Sequence, residues 1–438
     1  MNTMLKSIAR KIFLSTLNRI QHGRLELVLP DRNLFFGNDP AEPSVQLVVH
    51  NERFFVRALL GGDTGMGESF MDGDWSSPDL VSLMRFAVRN LAQVEQSNSI
   101  LSSLSRLADR IHQRLRKNTV AGSRRNIHAH YDLSNEFFRL FLDQGLVYSC
   151  AWYEGPDDSL EVAQTQKLDR ICRKLDLKSG DRLLEIGTGW GAFALHAASH
   201  YGCHITTTTI SQQQYLYAKK QFESAACGQQ IELLLKDYRE LTGTFDKIVS
   251  IEMFEAVGFE HYDEFFRSCD RLLVPNGSLL LQTITMTEQR FDQYRRQSDW
   301  IQKYIFPGAQ LASVRGILDS INRVTQLSLF HADDMGAHYA RTLAAWRRRF
   351  FHSIADVRAL GFDDRFIHMW DYYLSFCEAA FAERHISDVQ LLLTKIHNPS
   401  PLFQEPWRTV QPLTATAPVN GEQNLAEAGS LIANTPSR

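Results

Sequence analysis

Arg182-Leu183-Leu184-Glu185-Ile186-Gly187-Thr188-Gly189-Trp190-Gly191 is the stretch that decides the fold. A short apolar run reads as a buried strand, passes directly into alternating glycines, and gives way to a helical pattern at Ala192. A strand, a glycine loop and a helix in that order make the ligand turn of open α/β sheets. Glycine there lets the backbone approach the ligand and take φ > 0. Working outward, strands are predicted over Ile205–Thr209, Ile231–Leu235, Lys247–Met253 and Ser278–Thr285, with helices over 192–201 and 212–226. Such alternation predicts a parallel, doubly wound α/β sheet with right-handed crossovers.

Upstream, strand signals at Leu25–Leu29, Asn33–Phe36 and Val45–His50 precede an apolar helical segment, Phe54–Leu60, and a glycine-rich stretch, Gly61–Phe70. Helical patterns follow over 80–91 and 98–115, so residues 1–118 read as a small α+β domain. A basic linker is placed at 119–127, the α/β domain at 128–398, and a proline-rich tail, expected to be disordered, at 399–438. The 438 residues carry 47 Lys+Arg against 50 Asp+Glu, so basic surface has to be local. Six scattered cysteines without paired spacing argue against a zinc site or a disulfide framework, and for a reducing compartment. No apolar run approaches the ~18 residues of a transmembrane helix, and the N-terminus lacks the ~7–15-residue apolar core of a signal peptide.

The GxGxG spacing of Gly187, Gly189 and Gly191 differs from the GxGxxG of dinucleotide sites. It suits S-adenosylmethionine, which brings no pyrophosphate to cradle. About 20 residues on, where a ribose contact is expected, lie Thr206–Thr209, Ile210 and Ser211. An acidic residue is missing at that strand end, so Thr209 and Gln214 are assigned to the ribose and its surroundings, and Asp237-Tyr238 to the adenine. A plain glycine turn with hydroxyl-rich edges is the competing reading.

Several motifs in order carry a resemblance: Tyr148-Ser149-Cys150-Ala151, the glycine loop, Asp237-Tyr238-Arg239, Phe254-Glu255-Ala256-Val257-Gly258, Tyr304-Ile305-Phe306-Pro307-Gly308 and Gly336-Ala337-His338-Tyr339. Together they resemble the cyclopropane-fatty-acyl-phospholipid synthases and the related mycolic acid methyltransferases. Gly67-Glu68-Ser69-Phe70-Met71-Asp72-Gly73 is similar to that family's N-terminal domain. The resemblance implies a Rossmann-like S-adenosylmethionine-dependent methyltransferase acting on the double bond of an unsaturated phospholipid acyl chain. It also implies a bicarbonate ion as base, held by Cys150, Glu255, the main chain of Ile284 and Tyr339, with Tyr148 and Ser149 beside the cofactor. At 282 the better-known bacterial members have histidine where this chain has Gln282, which keeps a methyl- or methylene-branched product in play. Cys377 falls where the family pattern marks an active-site cysteine, although methyl transfer requires no thiolate. Tyr131, Trp152, Tyr304, Phe306 and Tyr373 are the aromatic candidates for stabilising a cationic intermediate.

A substrate buried in a leaflet requires docking on anionic phospholipid. Trp346-Arg347-Arg348-Arg349-Phe350-Phe351, the basic connector and an amphipathic first helix over 4–20 are the expected anchors. The expectation is therefore a cytoplasmic enzyme, peripheral on the inner membrane face, with a homodimer left open. Nucleic acid is disfavoured as a partner because the chain is acidic overall and shows no binding motif for it. An inactive lipid-binding adaptor is the alternative of another class.

Overall fold

The computed structural model describes residues 3–37, 44–91, 133–396 and 398–399; the expected linker, the 98–115 helix and the tail beyond 400 lie outside the described residues. The N-terminal unit runs α1 (Thr3–Leu17), β1 (Arg24–Val28), β2 (Asn33–Phe36), β3 (Ser44–Val49), α2 (Arg53–Met71), β4 (Trp75–Ser76) and α3 (Leu80–Arg89). Its strands form one mixed sheet in the order β2-β1-β3-β4. The glycine-rich stretch expected beyond residue 60 is helix: α2 continues to Met71 with a single break at Gly62 (φ 54°, ψ −133°). Two of its glycines serve close packing rather than a turn. A Cβ at Gly65 would stand 2.1 Å from the Arg57 carbonyl oxygen, and one at Gly67 would stand 2.4 Å from the Trp300 ring.

The second unit contains α4 (Asn135–Arg139), α5 (Leu160–Lys174), β5 (Arg182–Ile186), α6 (Ala192–Tyr201), β6 (His204–Thr209), α7 (Gln212–Ser224), β7 (Ile231–Leu235), β8 (Phe245–Ile251), α8 (Tyr262–Leu272) and β9 (Leu273–Met286). It continues through α9 (Glu288–Tyr294), α10 (Trp300–Tyr304), α11 (Val314–Val324), β10 (Leu327–Asp334), α12 (Gly336–His352), α13 (Ile354–Ala359), α14 (Asp364–Ala382) and β11 (Ile386–Lys395). The sheet order is β7-β6-β5-β8-β9-β11-β10. Strands β5 to β9 are parallel, but β11 runs antiparallel to both β9 and β10, so the sheet is mixed rather than wholly parallel.

Alternate strand residues feed opposite faces, as a two-residue period requires. Leu183, Ile205, Val249 and Leu280 pack under α5, α6 and α7, whereas Leu184, Ile248, Leu279 and Leu281 pack with α8 and α11. The chain leaves β5 for β6 and β7, then returns to β8 on the other side. That reversal is the place where open α/β sheets bind ligands.

The Gly67–Gly73 motif joins the two units. Glu68 accepts from Lys303 Nζ at 2.5 Å and Tyr304 Oη at 2.7 Å. Asp72 pairs with Arg57 at 2.7 Å and with Arg365 at 2.9 Å. From α3, Arg85 and Arg89 both reach Glu383, at 2.6 and 2.7 Å.

Candidate active site

Each glycine of the loop has a left-handed backbone, with φ of 103° at Gly187, 54° at Gly189 and 95° at Gly191, but their neighbours differ. A Cβ at Gly191 would collide with the Phe222 ring at 2.7 Å, so this glycine lets α6 approach α7. A Cβ at Gly187 would press on Met253 at 3.0 Å, whereas one at Gly189 meets no atom within 4 Å. Gly187 and Gly189 line a cavity of about 930 Å³, together with Tyr148, Ser149, Thr209 and Ile210. Gln214, Asp237 and Tyr238 complete that end. Thr209 Oγ1 donates to Gln214 Oε1 at 3.0 Å. Asp237 receives Arg239 at both carboxylate oxygens, at 2.8 and 2.7 Å, so its acidity is already matched inside the site. Beneath the loop, Glu185 accepts from Thr207 Oγ1 at 2.5 Å, and burial pushes its carboxyl up to about 8.

Deeper in, carboxylates converge. Glu252 follows β8 in a left-handed conformation (φ 47°), which costs a non-glycine residue of order 1–3 kcal/mol. It accepts from Cys150 N at 2.7 Å, Gln282 Nε2 at 2.9 Å and Tyr339 Oη at 2.7 Å. The Gln282 amide also donates to Asp388 at 2.9 Å, and its oxygen accepts from Gln390 at 3.0 Å. Burial raises the carboxyls of Glu252 and Asp388. Lys167 is fully buried beside them, donates to Ser149 Oγ at 2.9 Å, and is held below its ordinary value by the same burial. Glu255 accepts from Ile284 N at 2.5 Å and Thr283 Oγ1 at 2.9 Å through one oxygen, while its buried Oε2 has no partner. Burial, then the charge of Glu252, pushes Glu255 up to about 7.

The aromatic candidates separate. Phe306 and Tyr373 line the cavity, joined by Tyr148, whose hydroxyl lies 3.1 Å from that of Tyr373. Trp152 instead stacks on His338 with the Arg170 guanidinium 4.0 Å above its ring, and the Tyr304 hydroxyl is spent on Glu68. Tyr131 lies outside the described residues.

A family model described as mycolic acid cyclopropane synthetase matches residues 119–391. The chain belongs to the mycolic acid cyclopropane synthetase family. This synthetase-family chain is 37% identical over 365 residues to the cyclopropane-fatty-acyl-phospholipid synthase of Escherichia coli K12, covering 82% of this chain and 89% of that one. It is 35% identical over 382 residues to the tuberculostearic acid methyltransferase of Mycobacterium tuberculosis, covering 85% and 88%. A mycolic acid cyclopropane synthase solved with SAH and CTAB superposes with a TM-score of 0.58 at 31% identity, over 62% of this chain and 98% of that one. The protein is thus an S-adenosylmethionine-dependent methyltransferase with a Rossmann-like α/β sheet.

Within this methyltransferase, the residues expected from the sequence fall into two groups. Tyr148, Ser149, Gly187, Gly189, Thr209, Ile210, Gln214, Asp237, Tyr238, Glu255, Tyr339 and Cys377 line the cavity. Cys150 and Gln282 sit behind it, bound to the Glu252 carboxylate, and Gly191 serves packing. Burial raises the Cys150 and Cys377 thiols well above the ordinary range, so neither is poised as a thiolate. Glu252, Lys167, Asp388 and Glu185 were not singled out from sequence. The only available signal for Glu252 was its place three residues before Glu255, at the end of the predicted Lys247–Met253 strand.

The structure corrects part of the expected 346–351 anchor, of which Arg348 and Phe351 stay exposed. Trp346 and Phe350 are fully buried, Arg347 pairs with Asp371 at 2.7 Å, and Arg349 grips both oxygens of Glu161 at 2.7 and 2.8 Å. The connector arginines lie outside the described residues. Helix α1 docks on α2 through its inner face yet leaves Met4 70%, Ile8 43% and Leu5 39% exposed. No described helix is long and apolar enough to cross a membrane.

Proposed function

We propose that this enzyme transfers a methyl group from S-adenosylmethionine to the double bond of an unsaturated phospholipid acyl chain and closes a cyclopropane ring. One observation carries the reading: the cavity that begins at the glycine loop passes the buried Glu255 and Tyr339 and continues between apolar walls. The division of labour follows the two units, with the N-terminal α+β unit serving lipid and the second unit serving transfer.

An alkene is a weak nucleophile, and its methylation leaves a carbocation that water would trap. Phe306, Tyr148 and Tyr373 present aromatic faces and exclude water there. Ring closure then requires loss of a proton from the new methyl group. A bicarbonate ion, as the family resemblance implies, would supply that base when bound. The residues fit such a group in the feature they leave open: Glu255 Oε2 is a buried acceptor without a partner, suited to an O–H brought by a ligand. Burial keeps the carboxyls of Glu252 and Asp388 protonated more readily than in water, which lessens the negative charge an incoming anion meets beside Glu255. Glu252 holds Cys150, Gln282 and Tyr339 in place by accepting from all three.

A second reading, a methyl- or methylene-branched product, is favoured by Gln282. Its amide stands where the resemblance places histidine and cannot carry a proton at neutral pH. Docking on an anionic leaflet is assigned to α1, where Met4, Leu5 and Ile8 are exposed beside Lys6 and Lys11. Incubating the enzyme with S-adenosylmethionine and unsaturated phospholipid vesicles tests the reading. Acyl chains heavier by one CH2 support it, whereas modification of the headgroup alone contradicts it.

A further inference from the structure

The cavity does not stop at the catalytic cluster. It is walled in turn by Tyr373 and Cys377 of α14, the helix that packs on α2 and α3, and by Phe13, Leu17, Leu47 and Met84 of the N-terminal unit. These last walls precede residue 119, where the match to the family model begins.

The buried and half-buried polar groups in this part of the lining have internal partners, and the exposed Asp63 accepts from Thr64 N at 2.7 Å. Trp75 Nε1 donates to Met66 O at 3.1 Å and Ser69 Oγ at 3.0 Å. Asn90 donates to His22 O and Phe86 O, both at 2.9 Å, and accepts from Gln21 N and His22 N at 3.0 and 3.1 Å. Thr16 Oγ1 donates to Ile12 O at 3.1 Å. An ester or a headgroup placed here would find its polar atoms unmatched, at the cost of a buried unsatisfied group. An alkyl chain loses nothing. Further polar lining side chains stand on the second unit, among them Arg290, Gln293 and Gln297.

We infer that the N-terminal unit receives the methyl-terminal part of the acyl chain, beyond the reacting double bond, and thereby sets the tail length the enzyme accepts. The inference rests on the acyl-chain reading above. A double bond within a chain requires room on both sides of the reacting carbons, and the largely apolar extension provides room for the methyl-terminal side.

The test uses the full chain and phospholipids whose double bond lies at a fixed distance from the ester while the methyl tail grows by two or four carbons. Met84→Trp fills the extension from α3. Gly61→Leu, a second cavity-lining site where an added Cβ meets no atom within 4 Å, does so without a clash. Each variant is expected to lower the long-tail to short-tail ratio of kcat/KM at least tenfold, about 1.4 kcal/mol, with S-adenosylmethionine affinity unchanged. An unchanged ratio in both variants overturns the inference. A parallel measurement needs no variant: a phospholipid carrying a photoreactive diazirine at the acyl methyl end should crosslink to residues before 91. Crosslinks confined to residues 133–396 would overturn the inference. Absence of wild-type turnover on every tail would defeat the acyl-chain reading itself, and the inference with it.

Discussion

Replacing Glu255 by glutamine separates the electrostatic cost of the site from its chemical use. The carboxyl is buried, lies near Glu252, and titrates at about 7 instead of its ordinary 4.5. The folded protein therefore holds a proton that the unfolded chain releases between pH 4.5 and 7, so stability falls as pH rises through that window and the full penalty stands above it. The gap corresponds to about 3 kcal/mol. Glutamine is neutral throughout, and its amide oxygen can still accept from Ile284 N and Thr283 Oγ1. Glu185 titrates alike in both proteins, whereas the Asp388 carboxyl, raised in part by the charge of Glu255, is relieved in the variant and adds in the same direction. Glu255→Gln is thus expected to come within about 1 kcal/mol of the wild type near pH 5 and to exceed it by about 3 kcal/mol at pH 8, a Tm difference on the order of 3–5 °C. Turnover should move the other way. The wild-type rate should rise as pH passes about 7 and the acceptor ionises, and the variant should lose ~10²-fold or more with unchanged cofactor affinity. Thermal unfolding and initial rates at pH 5 and pH 8 read both effects. A stability difference independent of pH, or full turnover with weakened cofactor binding, would refute the reasoning.

Gly189→Val places a branched side chain at φ 54° facing the cavity; S-adenosylmethionine affinity by calorimetric titration should fall more than tenfold, with a strain cost of ~1–2 kcal/mol in stability. Glu252→Gln leaves at least one of the Cys150, Gln282 and Tyr339 donors without its acceptor, so urea unfolding should show a loss of ~1–3 kcal/mol and turnover should drop with it. Arg349→Ala breaks a half-exposed pair with Glu161; it should cost at most about 1 kcal/mol and lower activity equally on vesicles and on detergent-dispersed lipid. Replacing Met4, Leu5 and Ile8 by serine should weaken flotation with anionic vesicles while leaving activity on detergent-dispersed lipid intact.

The glycine loop and its flanking elements were legible because local chemistry alone defines them. Strand β5 ends where the apolar run ends, and α6 begins on a left-handed glycine. The Gly61–Phe70 stretch gave no helix signal because glycine marks both turns and close approaches. Inside α2, Gly65 and Gly67 make room for the Arg57 carbonyl and the Trp300 ring, and Trp300 lies over 200 residues away. Strand β11 escaped notice because Asp388 and Gln390 interrupt its apolar run, and their burial makes sense only opposite Gln282. Arg347 and Arg349 looked like a surface run because their partners, Asp371 and Glu161, come from other helices. Glu252 was invisible for the same reason, since its role is created by donors at 150, 282 and 339 meeting in space.

The most direct test of the central claim is the structure of the product formed from methyl-labelled S-adenosylmethionine and unsaturated phospholipid vesicles. Mass alone does not separate a ring from a methylene branch, so the product is read by NMR. The account predicts the label in a ring CH2 bonded to both former alkene carbons. Label found in a methyl or methylene branch would contradict ring closure, and absence of label from the acyl chain would contradict the assignment of the cavity to lipid.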